Sequence, residues 1–411
     1  MADVLSPRVV LIESLDDAAR EMRAIGVSEG GVDAMEAKAC SVAVKVSDVC
    51  VPSAHVIKQQ MLSIGGEAAV ARDVLTHGVE STDVLIFGTM TELRRLGEKL
   101  SWQPFDLPAL GERIVELLDV VSGRTPRLVR AGSHALDLDE RVQVMGVLNV
   151  TPDSFSDGGS YPSVTAAVDR ALEMSAEGAD IIDIGGQSSR PGSKPVAESE
   201  EMERVTPVVE QLCKEWNGPV SIDTTRAAVA RTCLDAGAAI VNDITALGSD
   251  PDMGRLIASS GAACVLMHMR GAPETMQDEP VYDDLLGEIS HALGNAVERA
   301  VDAGIGADQI IVDPGLGFGK TTEDNLEILR RLPELAVLGK PVLVGPSRKR
   351  FIGRVLDLDV ADRLEGTLAT CAYAVAQGAR IVRVHDVRPT VRAVRMVDAC
   401  LGAGRREERR P

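Results

Sequence analysis

The sequence predicts an α/β chain: a (β/α)8 TIM barrel preceded by a smaller N-terminal α/β domain. Three observations lead there. At 411 residues the chain exceeds what one hydrophobic core usually organises. From about Arg141 onward one unit recurs, in which an amphipathic stretch meets a glycine and then a short β-branched apolar run. Eight such runs follow one another over the length of a single barrel domain.

The first 135 residues differ in texture and predict a small α/β domain of unknown role. Apolar runs VVLI, SVAVKV and VLIFG read as strands, and LDDAAREMRAIG, AHVIKQQMLSIGG and MTELRRLGEKL as helices. The Arg- and turn-rich segment SGRTPRLVRAGSHALDLDE reads as the connection. Residues 136–400 then form the barrel. Its strands are QVMGVLNV, DIIDIG, PVSID, AIVNDI, AACVLMH, QIIVDPG, PVLVGPS and RIVRVHD, starting near Gln143, Asp180, Pro219, Ala239, Ala262, Gln309, Pro341 and Arg380. Continuous apolar runs suit parallel strands buried on both faces. A doubly wound open sheet is the structural alternative. Gly178, Gly237, Gly261 and Gly378 stand where helices need a left-handed C-terminal cap. Residues 401–411 read as a charged, mobile tail.

Composition bounds the function. A formal charge of -19 repels nucleic acid and anionic membrane surfaces, and 2% aromatic content offers little for base stacking. Seven cysteines, with no CxxC pair, predict reduced thiols in a cytoplasmic protein. Neither a secretory signal nor an apolar run of the ~20 residues a spanning helix needs is expected. Cys233, Cys264 and Cys371 lie in apolar stretches and read as inert core thiols.

In such a barrel the active site lies at the C-terminal ends of the strands, and here those ends are polar. They carry Asn149, Asp223, Asn242, Asp243, His268, Asp313, the run Ser347-Arg348-Lys349-Arg350, Arg383 and His385. Any one of them has a plain reading as a cap or loop residue; polar groups at all eight ends favour a site. Carboxylates at Asp223 and Asp313 accept from a ligand's N–H groups, while Asn242 and Lys349 donate to ring nitrogens and a carbonyl oxygen. That pattern complements an amino-pyrimidinone. Arg383, His385, Asn149 and the basic run make a cationic pocket for diphosphate, in which the Asn149 amide oxygen joins water around Mg2+. Two sharper motifs fail. PGLGFGKT has Pro314 where a phosphate loop needs glycine, and His268 has no second ligand at zinc spacing, so it reads as a packing or hydrogen-bonding residue.

Taken in order, GVLNVTPDSFSDGG, DIGGQSSRPG, SIDT, VNDI, LMHMRG, DPGLGFGK, GPSRKRFIG and RVHDV resemble the dihydropteroate synthase family from Val144 to Val387. The resemblance implies that Asp223, Asn242, Asp313 and Lys349 bind a pterin ring, with Met267 and Arg383 against its faces. It assigns Asn149, Arg383 and His385 to the diphosphate and its Mg2+. It places Asp157 and Ser189-Arg190-Pro191 on loops that close over the site and help form a para-aminobenzoate pocket, lined also by Phe318, Lys349 and Arg350. It implies pterin diphosphate and para-aminobenzoate as substrates, and a homodimer. Catalysis would come from stabilising the departing diphosphate and excluding water, with Asp157 placed to stabilise developing positive charge and Lys349, Arg383 and His385 acting on the reacting groups.

Two features depart from the family pattern. The second loop usually reads GGEST, whereas Gln187 removes its negative charge while Ser189 keeps a hydroxyl. The N-terminal domain lies outside the single-barrel form, and its Cys40 and Cys50 are too weak a signal for a metal or redox site. A pterin-dependent methyltransferase barrel lacks a reason for the diphosphate set. A non-catalytic pterin-binding protein would not need the retained loop and anion-binding residues.

Overall fold

The computed structural model describes residues 8–76, 78–122, 127–151, 164–187, 196–271 and 280–402. The chain divides into two compact units, Met1–Pro126 and Arg127–Pro411.

In the first unit the order is α1 (Leu15–Ala24), α2 (Glu29–Ala39), β1 (Ser41–Cys50), α3 (Val51–Leu62), β2 (Glu67–Val70), β3 (Ser81–Thr89), α4 (Met90–Leu100) and α5 (Leu107–Val121). The strands form an antiparallel sheet with β3 in the middle. Alternation along β3 buries Val84 and Ile86 against Ile57, Met61, Leu93 and Leu118 and leaves Leu85 and Phe87 partly exposed. Thr89 opens α4 with a reciprocal cap to Glu92, which fixes the sharp strand-to-helix transition. SVAVKV and VLIFG form strands as expected. VVLI does not: among the described residues no strand pairs with it, and Val9 and Leu11 are exposed.

The second unit opens with a hairpin, β4 (Leu128–Ala131) and β5 (His134–Asp137). There follow β6 (Gln143–Asn149), α6 (Val164–Ala176), β7 (Ile181–Gly185), α7 (Glu198–Glu215), β8 (Val220–Asp223), α8 (Ala227–Asp235), β9 (Ile240–Asp243) and α9 (Met253–Ser260). The second half runs β10 (Ala263–Met267), α10 (Leu285–Asp302), β11 (Ile310–Asp313), α11 (Thr322–Arg330), β12 (Leu343–Val344), α12 (Arg350–Leu356), α13 (Leu364–Ala376), β13 (Ile381–Val384) and α14 (Val387–Gly402). The strands from β6 to β13 pair in parallel as one eight-stranded sheet, and a bridge from Val312 to Val342 joins β11 to the start of β12. That bridge closes the barrel and rules out the open sheet. Each expected strand forms. Gly178, Gly237, Gly261 and Gly378 have φ of +104°, +113°, +71° and +100°, so all four occupy the left-handed region that a helix-ending glycine reaches without strain.

The expected connection is where the structure departs from the sequence. The first unit ends before Arg127, upstream of residue 135, and the hairpin belongs to the barrel. Val129, Ala131, Leu136 and Leu138 join Met145, Ile181, Ala239, Ile240, Ala263, Val265, Ile311, Leu343 and Ile381 in one buried cluster. The hairpin thus plugs the N-terminal mouth, held there by the Gly132 N–H donating to the Gly261 carbonyl at 3.0 Å. A barrel interior open at that end would leave these apolar side chains in water. At the other end of the chain α14 continues to Gly402, past the expected boundary at residue 400.

A candidate active site at the C-terminal mouth of the barrel

A strand's side chains alternate between faces, so the position two residues beyond an interior residue also points inward. Met145, Ile181, Ile240, Val265, Ile311 and Ile381 belong to the interior cluster. Two residues on from each stand Val147, Asp183, Asn242, Met267, Asp313 and Arg383. The interior therefore changes from an apolar layer at the plugged end to a polar layer at the C-terminal mouth, and five of those six upper residues could carry recognition chemistry. On β8, Asp223 stands two residues beyond the fully buried Ser221.

Within this layer Arg383 pairs with two of the acids. Arg383 donates from Nε to Asp183 Oδ2 at 2.6 Å and from Nη2 to Asp223 Oδ2 at 2.7 Å. Asn242 donates from Nδ2 to the same Asp183 oxygen at 3.1 Å. Burial pushes the Asp223 carboxyl up to about 7; Arg383 opposes this, and Asp183, Glu201 and Asp243 add to it. Burial also raises Asp313, against the Gly315 N–H and the cations Lys349, Lys320 and Arg383. For Arg383 burial works the other way, but Asp183 and Asp223 hold its pKa above the ordinary arginine value. The described residues thus set a largely buried cluster of acids around the Arg383 guanidinium, a setting in which each hydrogen bond to a ligand counts for more than it would in water.

The segment after β11 builds the next wall. Gly315, at φ +69°, turns back so that its N–H donates to Asp313 Oδ1 at 2.7 Å. A Cβ there would lie 2.0 Å from the His268 carbonyl oxygen, so only glycine fits. The motif that fails as a phosphate loop is instead a glycine-rich turn packed against the end of β10. It delivers Phe318, which packs with Met267 in a small apolar cluster at the mouth, flanked by Ile244 and Met269. Lys349 Nζ lies 3.9 Å from the Phe318 ring centroid, a cation–π contact.

Lys320 locks this turn. The residue is only 3% exposed, and its Nζ contacts the Phe318 carbonyl at 2.9 Å, His268 Nδ1 at 3.0 Å and the His268 carbonyl at 3.3 Å. These three contacts pin the turn to the end of β10; which way the Lys320–His268 Nδ1 bond runs follows the imidazole tautomer. Burial, with Lys320 and Arg270 beside it, pushes His268 down to about 3, which keeps the ring neutral. The expected hydrogen-bonding role of His268 is what the structure shows.

The remaining residues divide. Asn149 ends β6 beside Gly185, where an added Cβ would lie 3.8 Å from the Asn149 amide oxygen. His385 follows β13, with Nδ1 3.0 Å from Ser347 Oγ, which also accepts from the His385 backbone N–H at 3.2 Å. Arg348 turns outward to Asp386 at 2.6 Å, while Arg350 is exposed on the first turn of α12. Asp157, Ser189, Arg190 and Pro191 lie outside the described residues. Gln187 is described, partly buried, just beyond β7. Cys233, Cys264 and Cys371 are buried and pushed up to about 12 by burial, as inert thiols should be. Sequence reading passed over Asp183 and Lys320. A lone carboxylate inside the apolar run IIDIG was the available signal for the first; nothing local marked the second.

A family profile described as "Pterin binding enzyme" matches residues 145–385. The chain is 48% identical over 286 residues to the dihydropteroate synthase of Synechocystis, a match covering 69% of this chain and 99% of that one. It is 39% identical over 389 residues to a probable bifunctional folylpolyglutamate synthase/dihydropteroate synthase of Haloferax volcanii, covering 93% of this chain and 46% of that one, so that likeness extends into the first unit. Among solved structures, the Yersinia pestis dihydropteroate synthase matches with a TM-score of 0.64 at 44% identity, over 67% of this chain and 99% of that one. The Xanthomonas albilineans enzyme solved in complex with 7,8-dihydropteroate matches with 0.61 at 40%, over 67% of this chain and 98% of that one. With the closed barrel and the polar layer at its mouth, these likenesses place the chain in the pterin-binding enzyme family, among the dihydropteroate synthases, transferases of folate biosynthesis.

Proposed function

We propose that this site joins 6-hydroxymethyl-7,8-dihydropterin diphosphate to para-aminobenzoate, forming 7,8-dihydropteroate and releasing diphosphate. The observation that carries the reading is the inward polar layer of Asp223, Asn242, Asp313 and Arg383 directly above an apolar, plugged barrel floor. Asp223 and Asp313 accept from the pterin's N–H groups; Asn242 and Lys349 donate to its ring nitrogen and carbonyl oxygen. Met267 and the Arg383 guanidinium cover its faces. Asn149, Arg383 and His385 receive the diphosphate. Phe318, Arg350 and Lys349, with Ser189, Arg190 and Pro191, are assigned to para-aminobenzoate, and Asp157 to stabilising the positive charge that develops at the pterin methylene.

The residues present fit Mg2+. Asn149 supplies one amide oxygen, and glycine at 185 keeps the space beside it open, which suits an ion that retains several waters and completes its shell with substrate phosphates. When bound, Mg2+ supplies charge neutralisation for the leaving diphosphate. The protein's own residues orient the methylene, exclude water and place the amine in line; the C–O bond to diphosphate breaks as the C–N bond forms, and the amine's proton leaves to solvent. No covalent nucleophile is needed. We also propose that the enzyme works as a homodimer in the cytoplasm; no helix among the described residues is long and apolar enough to cross a membrane.

Purified protein, Mg2+, the pterin diphosphate and para-aminobenzoate, assayed for both diphosphate and dihydropteroate, test the reading. Product that depends on both substrates is expected. Diphosphate release without dihydropteroate, or neither product, refutes it.

A further inference from the structure

Three other carboxylates among the described residues of the barrel, with side chains shielded from solvent, invite comparison with Asp183. Asp180 uses both oxygens, for Arg141 and the Val144 N–H. Glu201 uses both, for Thr224 and Arg226. Asp243 uses both, for Thr245 and the Leu247 N–H. Each closes its own hydrogen-bonding account within the fold, as a structural acid should. Asp183 differs. It is 0% exposed, yet both of its donors, Arg383 Nε and Asn242 Nδ2, converge on Oδ2, and Oδ1 is buried with no partner. Leaving a carboxylate oxygen bare in a dry interior costs stability. Asp183 balances the charge of Arg383, and both of its donors belong to the layer proposed to hold the pterin.

We infer that Asp183 is a positioning residue for pterin recognition: from the middle of β7 it sets the amide orientation of Asn242 and the plane of the Arg383 guanidinium. The chemistry leaves one solution. A carboxylate only accepts, so Asn242 must turn its NH2 toward Asp183, and its amide oxygen is not spent on that bond. Arg383 is gripped at Nε by Asp183 and at Nη2 by Asp223, two points that define the guanidinium plane and leave its faces and Nη1 for a ligand. Oδ1 is then a third acceptor, buried and unpartnered beside these two donors. The inference rests on the assignment of this layer to the pterin ring.

The test uses the full-length enzyme with Asp183→Asn, which keeps the shape and removes the charge. Loss of a charge-assisted bond predicts a pterin KM, and a Kd for the 6-hydroxymethyl-7,8-dihydropterin product of diphosphate removal, raised roughly tenfold to a hundredfold. The para-aminobenzoate KM, measured at saturating pterin, should move less than about twofold, since a general loosening would move both. Equal changes in both KM values, or unaltered dihydropterin affinity, would overturn the inference. If Asp183→Asn does not fold, side-chain exchange in the wild-type protein decides: Arg383 Nε–H, identified by its absence in Arg383→Lys, should be protected, and rapid exchange there is refutation. Should the wild type bind dihydropterin but make no product, the proposed reaction fails while the binding comparison still judges Asp183.

Discussion

Lys320→Met removes a buried ammonium while nearly conserving volume, and its consequence depends on pH in a way that can be calculated. Burial pushes Lys320 down to about 7; Asp313 and Asp324 work against this, and Lys349 adds to it. Lysine in the unfolded chain titrates near ~10.4. Between those values the unfolded chain holds more protons than the folded one, so wild-type stability rises with pH across that window. Integrated from pH 7 to pH 9 the gain is about 2 kcal/mol. Methionine abolishes that gain. It also leaves the Phe318 carbonyl, the His268 carbonyl and His268 Nδ1 without their Lys320 partner, each a penalty of about 1–3 kcal/mol, offset in part at pH 7 by relief of the buried charge. Urea unfolding of Lys320→Met in a Trp102→Phe background, where Trp216 is the one remaining tryptophan, reports the barrel. The wild type should be the more stable, and the gap should widen by about 2 kcal/mol from pH 7 to pH 9. A gap that stays constant would show that Lys320 keeps its proton and that the three-contact lock is purely a matter of hydrogen bonding.

The other expectations are simpler. Gly315→Ala drives a Cβ to 2.0 Å from a backbone oxygen at a left-handed φ, so a thermal melt should show loss of at least ~3 kcal/mol; a melt like the wild type's would mean the turn can swing away. A truncation starting at Arg127 should give a folded barrel, whereas one starting at Leu136 should not, because it removes β4 and with it the buried Val129 and Ala131; equal solubility and equal melts for the two would dispose of the plug. Lys349→Ala should weaken dihydropterin binding about tenfold or more, while Asn149→Ala should chiefly reduce the Mg2+ dependence of diphosphate binding; calorimetry giving the same losses for both ligands would contradict that division.

Much of the barrel was legible because its signals are local. A parallel strand buried on both faces must be an apolar run, a helix that turns back sharply ends most cheaply on glycine, and both features repeat along the chain wherever a unit recurs. The polar strand ends were legible for a related reason: polar groups at a barrel's mouth interrupt those runs at or next to their last residue, as at Asp223, Asn242 and Asp313. VVLI shows the limit, since an apolar run becomes a strand only where another strand is there to pair with it.

By itself, then, the sequence determined the closed-barrel grammar, its glycine caps and the ordered strand-end residues of a pterin-binding enzyme. Tertiary structure decided what those residues rest upon. Asp183 and Arg383 are 200 residues apart and meet only because β7 and β13 flank β6 in the closed sheet. Lys320 has its roles only because the turn after β11 lies against the end of β10. The hairpin before β6 reads as a linker until the open floor of the barrel gives Val129, Ala131, Leu136 and Leu138 somewhere to be buried. Pattern along a chain records each residue's own preference for water or apolar surroundings; it does not record which distant group will share its dry space, and the positioning of this site is made of such shared spaces.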